Sequence, residues 1–391
     1  MPWNETNIAD QKRQFIAAVE AAEDDDEEES FASICDRFGI SRETGYQLLQ
    51  RHEEGGATAF EPRSRRPLHS PQAITGPIEK LILQARAEHS TWGARKLLAL
   101  LQRRHPRTTW PVASSIGDLL RRHGLTHPRK PSRGHFAPHT QPLAHSIAPN
   151  DLWCVDFKGW FRTLDGARCN PLTMTDATTR MLLRCNHVAK GTLNDVKPVF
   201  EAAFREYGMP LGIRSDNGPP FSSNGIAGLS RLSIWWIRLG IWPERIEPGC
   251  PEQNGRHERM HRTLKAEVAA NPEPNVRLQQ RAFDRFKLEY NTIRPHEALG
   301  QCPPGDFYTA STRSFPRVLP LISYPQEALV RSVRPNGAIK HRGGTHFLGE
   351  ALAGESVALW EIEGGWDVYF GMIHLARFDA RTERLIRDIR E

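Results

Sequence analysis

The feature that most constrains this chain's fold is a change of texture near residue 150. Before it the hydrophobic pattern is helical. After it three strand-like runs follow in succession, Asp151–Phe161, Leu172–Thr175 and Met181–Val188, with turns at Leu-Asp-Gly-Ala (164–167) and Asp-Ala-Thr-Thr (176–179). Helix and strand then alternate: helix over Leu193–Tyr207, strand over Leu211–Ser215, helix near Ile226–Leu239 and strand near Glu244–Glu247. Helices over 253–270 and Arg277–Thr292 complete the region. Such an order predicts an α/β sheet covered by helices.

The flanks read differently. Residues 8–20 predict a first helix, and an acidic run at 23–29 follows it. Phe31–Arg51 reads as helix, turn, helix, with Gly39 in the turn, Ser41 as N-cap and a small core of Ile34, Phe38, Ile40, Leu48 and Leu49. Arg42, Glu43, Thr44 and Gln47 would face outward at the start of a recognition helix, although Gly45 is a poor helix former. A second helical unit is expected over 74–126, with helices at Ile78–Glu88, Ala94–Arg104 and Ser114–His123. Gly-, Pro- and Arg-rich stretches at 55–73 and 127–149 read as linkers. From 328 to 391, short strands between Gly-rich turns predict a small β-barrel or β-sandwich.

Charge points to a polyanionic partner. The net charge is +6, but residues 61–140 alone hold 15 Lys and Arg against 4 Asp and Glu, interleaved by Trp92, Trp110 and Phe136. The six cysteines (35, 154, 169, 185, 250 and 302) form no Cys-x-x-Cys pair, which argues against a structural zinc site. No apolar run approaches the roughly 20 residues that span a bilayer. A cytosolic protein with no membrane partner is expected.

Three carboxylates carry the chemistry. Asp156 lies within the apolar run Leu-Trp-Cys-Val-Asp-Phe, where an unpaired charge costs several kcal/mol unless a cation or donors offset it. Asp216, in Arg-Ser-Asp-Asn-Gly, closes a strand, a preferred ligand position in α/β sheets and also a plain turn position. Glu258 shares a helix face with Arg262 and Lys265, while Met260, Leu264 and Val268 form the opposite, core-facing stripe. Oxygen donors gathered from distant segments suit hard divalent cations.

The segments Trp-Cys-Val-Asp-Phe (153–157), Arg-Ser-Asp-Asn-Gly-Pro-Pro-Phe (214–221) and Pro-Glu-Gln-Asn-Gly-Arg-His-Glu-Arg-Met-His-Arg-Thr-Leu-Lys (251–265) resemble the D,D,E core of retroviral integrases and insertion-sequence transposases. Tyr-Asn-Thr-Ile-Arg-Pro-His-Glu-Ala-Leu (290–299) resembles the segment that follows that core. The resemblance covers roughly 145–310. It implies a multidomain protein: an N-terminal helix-turn-helix domain at 1–54, a second helical DNA-binding domain at 74–126, an α/β ribonuclease-H-like integrase core at 150–310 and a β-rich domain at 328–391. No His-His-Cys-Cys arrangement is found near the N-terminus, which points to the bacterial transposases.

The family implies that Asp156, Asp216 and Glu258 are catalytic and hold two Mg²⁺ or Mn²⁺ ions, with Arg262 and Lys265 gripping the DNA backbone. Asn217 and Gly218 would line the site, and Arg259 is a further phosphate candidate. Arg42, Thr44 and Gln47 would read DNA. Partners are then double-stranded DNA, as terminal inverted repeats and target, and further copies of the chain assembled on the ends, in the bacterial cytoplasm at the nucleoid. A DNA-binding regulator with a silent core and a nuclease that cuts without joining are the alternatives. One departure from the family is the 41 residues between Asp216 and Glu258, where about 35 is usual; Glu252 fits that count. The Gln-Asn-Gly-x-x-Glu-Arg order favours Glu258, with the extra residues placed in Asn224–Trp242.

Overall fold

The computed structural model describes residues 7–24, 29–61, 73–126, 146–247 and 250–386. Most of both expected linkers, Phe136 and part of the acidic run lie outside the described residues. The chain divides into two compact units, Met1–Ala73 and Ile74–Glu391.

In the first unit, α1 (Ile8–Asp24), α2 (Phe31–Arg37) and α3 (Arg42–Gly55) enclose Phe15, Ile16, Val19, Ile34, Cys35, Leu48 and Phe60. Phe38, Ile40 and Leu49 are half-buried against that core. Gly39 turns the chain at φ +66°, and the Ser41 hydroxyl accepts from the Thr44 amide, capping α3. Gly45 has a packing reason. A Cβ there would meet Cys35 Sγ and Phe31 Cζ at 2.8 Å, so glycine lets α3 approach its neighbours.

The second unit begins with α4 (Gly76–Glu88), α5 (Ala94–Arg104) and α6 (Ala113–Arg122), built around Ile82, Trp92, Leu97, Leu100, Ile116 and Leu119. Trp92 is buried in this core, so of the aromatics interleaving the basic block it is not a surface platform.

The central sheet has the order β5–β4–β1–β6–β7: β1 (Leu152–Phe157), β4 (Pro171–Asp176), β5 (Leu182–His187), β6 (Gly212–Ser215) and β7 (Trp242–Arg245), with β2 (Phe161–Arg162) and β3 (Arg168–Cys169) as a short hairpin. β4 and β5 run antiparallel, while β1, β6 and β7 are parallel. The last strand is therefore Trp242–Arg245 rather than Glu244–Glu247, because Trp242 pairs with Gly212. Likewise β1 stops at Phe157, short of the expected Phe161.

Helix α7 (Leu193–Tyr207) packs Val196, Phe200, Ala203 and Phe204 onto one sheet face. On the other, α9 (Gly255–Leu264) and α10 (Val276–Thr292) join Leu182 and Cys185 through Met260, Leu264, Phe283 and Phe286, with Val268 of the turn between them. Three antiparallel strands, β5, β4 and β1, extended by the parallel β6 and β7 and covered by helices on both faces, make a ribonuclease-H-like integrase core.

At the C-terminal end, β8 (Leu329–Ser332), β11 (Ser356–Ile362), β12 (Gly365–Phe370), β13 (Ile373–Asp379) and β14 (Arg384–Ile386) form an antiparallel sheet, completed by the hairpin of β9 (Ala338–His341) and β10 (Gly344–Phe347). The expected helix at 226–239 is broken. A 3-10 turn (Ile226–Gly228) precedes α8 (Arg231–Arg238), and Ser230 caps α8. Gly228 has φ +62°, and a Cβ there would collide with the Arg245 guanidinium. The residues of this segment serve two cores: Leu232, Trp236 and Leu239 bury into the central core, while Ile226, Leu229, Ile234 and Ile237 join the core of the C-terminal sheet.

Candidate active site

The three carboxylates come from β1, the end of β6 and α9. Asp156 is the fifth residue of β1 and pairs with Thr173 of β4. Its carboxyl is half-buried, and its pKa is pushed up to about 7, first by burial, then by the negative charges of Asp216 and Glu258. Both neighbours thus act on Asp156 through space. Asp216, immediately after β6, is also raised by burial, while the Gly218 amide donates to its Oδ1 at 3.2 Å. Glu258 lies exposed in the first turn of α9. Glu252 falls in the 3-10 turn Pro251–Asn254 that precedes the helix.

Two residues that no sequence motif singles out hold α9 to the sheet. His257 and His261, one turn apart, are both buried. The Thr173 hydroxyl donates to the Asp156 carbonyl at 3.0 Å and lies 2.7 Å from Nε2 of each imidazole. One hydroxyl proton is committed to the carbonyl, so both rings present Nε2–H to Thr173. The second nitrogen of His257 then accepts from the Thr175 hydroxyl at 2.7 Å. Burial lowers both imidazoles, His261 to about 3, so both are neutral. His261 Nδ1 stands 3.8 Å from Asp156 Oδ2, a neutral contact rather than an ion pair. The sequence does carry a signal for them: at i and i+4, the two histidines fall on the same side of the helix as Met260 and Leu264.

The other named residues sit as follows. Arg259, Arg262 and Lys265 are exposed along α9 and its continuation, a π-turn at Lys265–Ala269. The Asn217 side-chain amide donates to the Ile246 carbonyl at 2.7 Å, tying the loop after β6 to the end of β7. On α3, Arg42, Thr44 and Gln47 are exposed in a separate unit.

Asp156 is influenced by two further carboxylates, Asp216 and Glu258, and such oxygen donors suit a hard cation. Among the described residues no group of three or more His, Cys, Asp or Glu stands close enough to hold a metal ion as arranged.

The arrangement defines an integrase core joined to helix-turn-helix elements, and comparison with known proteins agrees. Residues 147–251 and 239–304 match two integrase core domain families, residues 16–67 a helix-turn-helix domain and residues 44–120 a homeodomain-like domain. The chain is 32% identical over 171 residues to a 39.2 kDa protein of insertion element IS476 from Xanthomonas euvesicatoria, covering 43% of this chain and 46% of that one, so it spans less than half the length of that relative. It is 26% identical over 245 residues to a 31.7 kDa protein of insertion element IS407 from Burkholderia multivorans, covering 62% and 83%.

Among solved structures, a simian T-cell lymphotropic virus intasome in complex with PP2A regulatory subunit B56 gamma aligns over 78% of this chain and 99% of that one, with a TM-score of 0.38 and 14% identity. The HTLV-2 integrase catalytic core domain in complex with magnesium aligns over 42% and 99%, with a TM-score of 0.33 and 16% identity. The chain thus carries integrase core and helix-turn-helix domains and is similar to proteins of bacterial insertion elements.

Proposed function

We propose that this protein binds the terminal inverted repeats of an insertion sequence and catalyses metal-dependent DNA cleavage and strand transfer. The observation that carries the reading is Asp156: a half-buried carboxyl pushed up to about 7 beside two further acids, with a neutral imidazole as its neighbour on α9. A site built this way is destabilised when all three carboxylates ionise, and a divalent cation removes the penalty.

Asp156, Asp216 and Glu258 would hold two Mg²⁺ or Mn²⁺ ions. When bound, such ions activate an attacking oxygen and stabilise a leaving oxygen in phosphoryl transfer. The chain's own part is positional. Asp156 lies on β1 and Asp216 just past the end of the neighbouring parallel strand β6, and the Gly218 amide orients Asp216. Thr173, through His257 and His261, sets the height of α9 and so of Glu258. Arg262 and Lys265, on the Glu258 side of the helix, would hold the DNA backbone. Arg42, Thr44 and Gln47 on α3 would contribute sequence readout. Copies of the chain would assemble on paired DNA ends.

The test uses the full chain, Mg²⁺ and a duplex ending in the inverted repeat that flanks its gene. Glu258→Gln is expected to abolish cleavage while end binding persists, and Glu252→Gln to leave cleavage intact. A pre-cut end bearing a 3′-OH, given with target DNA, should yield joined product. Cleavage without joining would replace the transposase reading with that of a nuclease; unchanged cleavage by Glu258→Gln would remove Glu258 from the site.

A further inference from the structure

A cavity of about 610 Å³ opens between the 74–126 helices and the core, lined by Lys96 of α5, Arg180 in the loop after β4, Arg256 and Arg259 of α9, and Arg294 and His296 beyond α10. Five cations among the described residues face one space, of which Arg294 is already paired with Glu267. The single lining carboxylate among the described residues, Glu297, is already paired with Arg95 at 3.0 Å. Arg180 Nε is a buried donor with no acceptor among the described residues. Arg180 also holds φ +67°, a left-handed conformation that is strained for a non-glycine residue. Burial and the nearby Arg294 charge push the Lys96 amine down to about 8. Like charges concentrated in a concave, partly dry space favour an anion.

Helix geometry relates this cavity to the carboxylates. At 3.6 residues per turn, Glu258, Arg262 and Lys265 occupy one flank of α9, whereas Arg256, Arg259 and Thr263 lie on the other, with the buried stripe of Met260 and Leu264 on the underside. The two flanks are separated by about one helix diameter, roughly 10–12 Å. A DNA major groove is about 12 Å wide, so the backbones bordering a groove reach both flanks of one helix.

We propose that this cavity is a second DNA-phosphate seat, gripping the backbone on the far side of α9 from Glu258. The seat rests on the transposase reading only in taking the ligand to be DNA. Lys96 and Arg180 contribute charge from outside α9, so the seat exists only because the helical unit closes over the core. Guanidinium pairs suit the fork geometry of a phosphodiester.

The experiment measures binding of the full chain to a labelled 30-base-pair duplex by fluorescence anisotropy across 50–200 mM KCl. Removing one cation that neutralises a phosphate should reduce the slope of log K against log[salt] by about 0.9. Lys96→Gln and Arg180→Gln are each expected to show that reduction, the double variant about twice as much, and Lys96→Arg a slope equal to wild type. Melting curves confirm folding, and Lys96→Gln carries the test if Arg180→Gln melts early. Slopes unchanged in both variants overturn the seat. So does a pyrophosphate-induced rise in melting temperature that these variants lose without any change in DNA binding, which would make the cavity a small-anion site. A wild-type protein that binds duplex, with the expected drop in slope in the variants, yet never cleaves, sinks the transposase reading and leaves the seat standing.

Discussion

The Thr173 hydroxyl of β4 lies 2.7 Å from Nε2 of His261 on α9, and the other ring nitrogen of that histidine faces Asp156 at 3.8 Å. A strand residue that is not itself acidic therefore sets the spacing between two of the three carboxylate-bearing elements. The same hydroxyl bonds His257 and the Asp156 carbonyl, so one small side chain ties α9 to both β1 and β4.

Replacing Thr173 with Val keeps the volume and strands two imidazole N–H groups and a carbonyl. The expected destabilisation is of order 2–3 kcal/mol in urea unfolding. Thr173→Ser retains the hydroxyl and should be destabilised less than half as much. Equal effects for the two variants would show that packing, not the hydrogen bonds, holds α9.

Asp156 and the histidines have opposite pH signatures. An acid raised in the fold to about 7 weakens it as pH climbs from about 4 to 7, because the unfolded chain has already released its proton. A histidine held neutral, with its pKa lowered from 6.5 to about 3, weakens the fold as pH falls through that window, because the unfolded chain takes up a proton first. Asp156→Asn should therefore melt above wild type at pH 8 without divalent metal, with the gap closing toward pH 4. Added Mg²⁺ should raise the melting temperature of wild type and not of the variant. A lower melting temperature for Asp156→Asn at pH 8 would contradict the assignment.

Gly45→Ala pits helix propensity against packing. Alanine gains up to about 1 kcal/mol in an exposed helix, but here its Cβ would sit 2.8 Å from Cys35 Sγ and Phe31 Cζ. Overpacking of that kind costs about 1–3 kcal/mol, so the N-terminal unit should lose stability, read as faster amide exchange in α2 and α3. Slower exchange would mean the three-helix core yields easily.

Ile237 anchors the C-terminal sheet from within α8. Its truncation to Ala should cost about 2–4 kcal/mol and increase proteolysis of residues 316–328, the segment in which the Pro320 carbonyl accepts from Arg238. Unchanged cleavage there would show that the Arg238–Glu355 pair at 3.3 Å is enough to hold the sheet.

Much of this was legible because it rests on short-range signals. Period-2 and period-3.6 patterns located β4, β5, α7 and α10 within a residue or two, and Ser41 and Gly39 marked the first helix-turn-helix. The three carboxylates stand out in the sequence through their settings rather than their types. What escaped depends on long-range pairing. The last strand is set by β6 rather than by its own residues, and the break at Gly228 by the Arg245 side chain packed against it. His257 and His261 read as members of a basic helix, because only the position of Thr173 across the sheet makes them buried and neutral. Lys96 and Arg180 belong to no motif at all; their cavity arises where two sequence-distant surfaces meet.

The helical unit at 74–126 is clamped to the core by a two-pronged Arg103–Asp306 pair, the His89–Glu289 contact at 2.9 Å and the stacking of Arg294 over Trp92. Under the proposed function, that clamp turns recognition into measurement. DNA held by these helices meets the carboxylates at a fixed offset, and since each base pair advances the duplex by about 3.4 Å while also rotating it, one inserted pair moves the scissile phosphate out of register in two ways at once. The protein would then count base pairs from its own body, and tolerance to spacing would report how rigidly these three helices are docked.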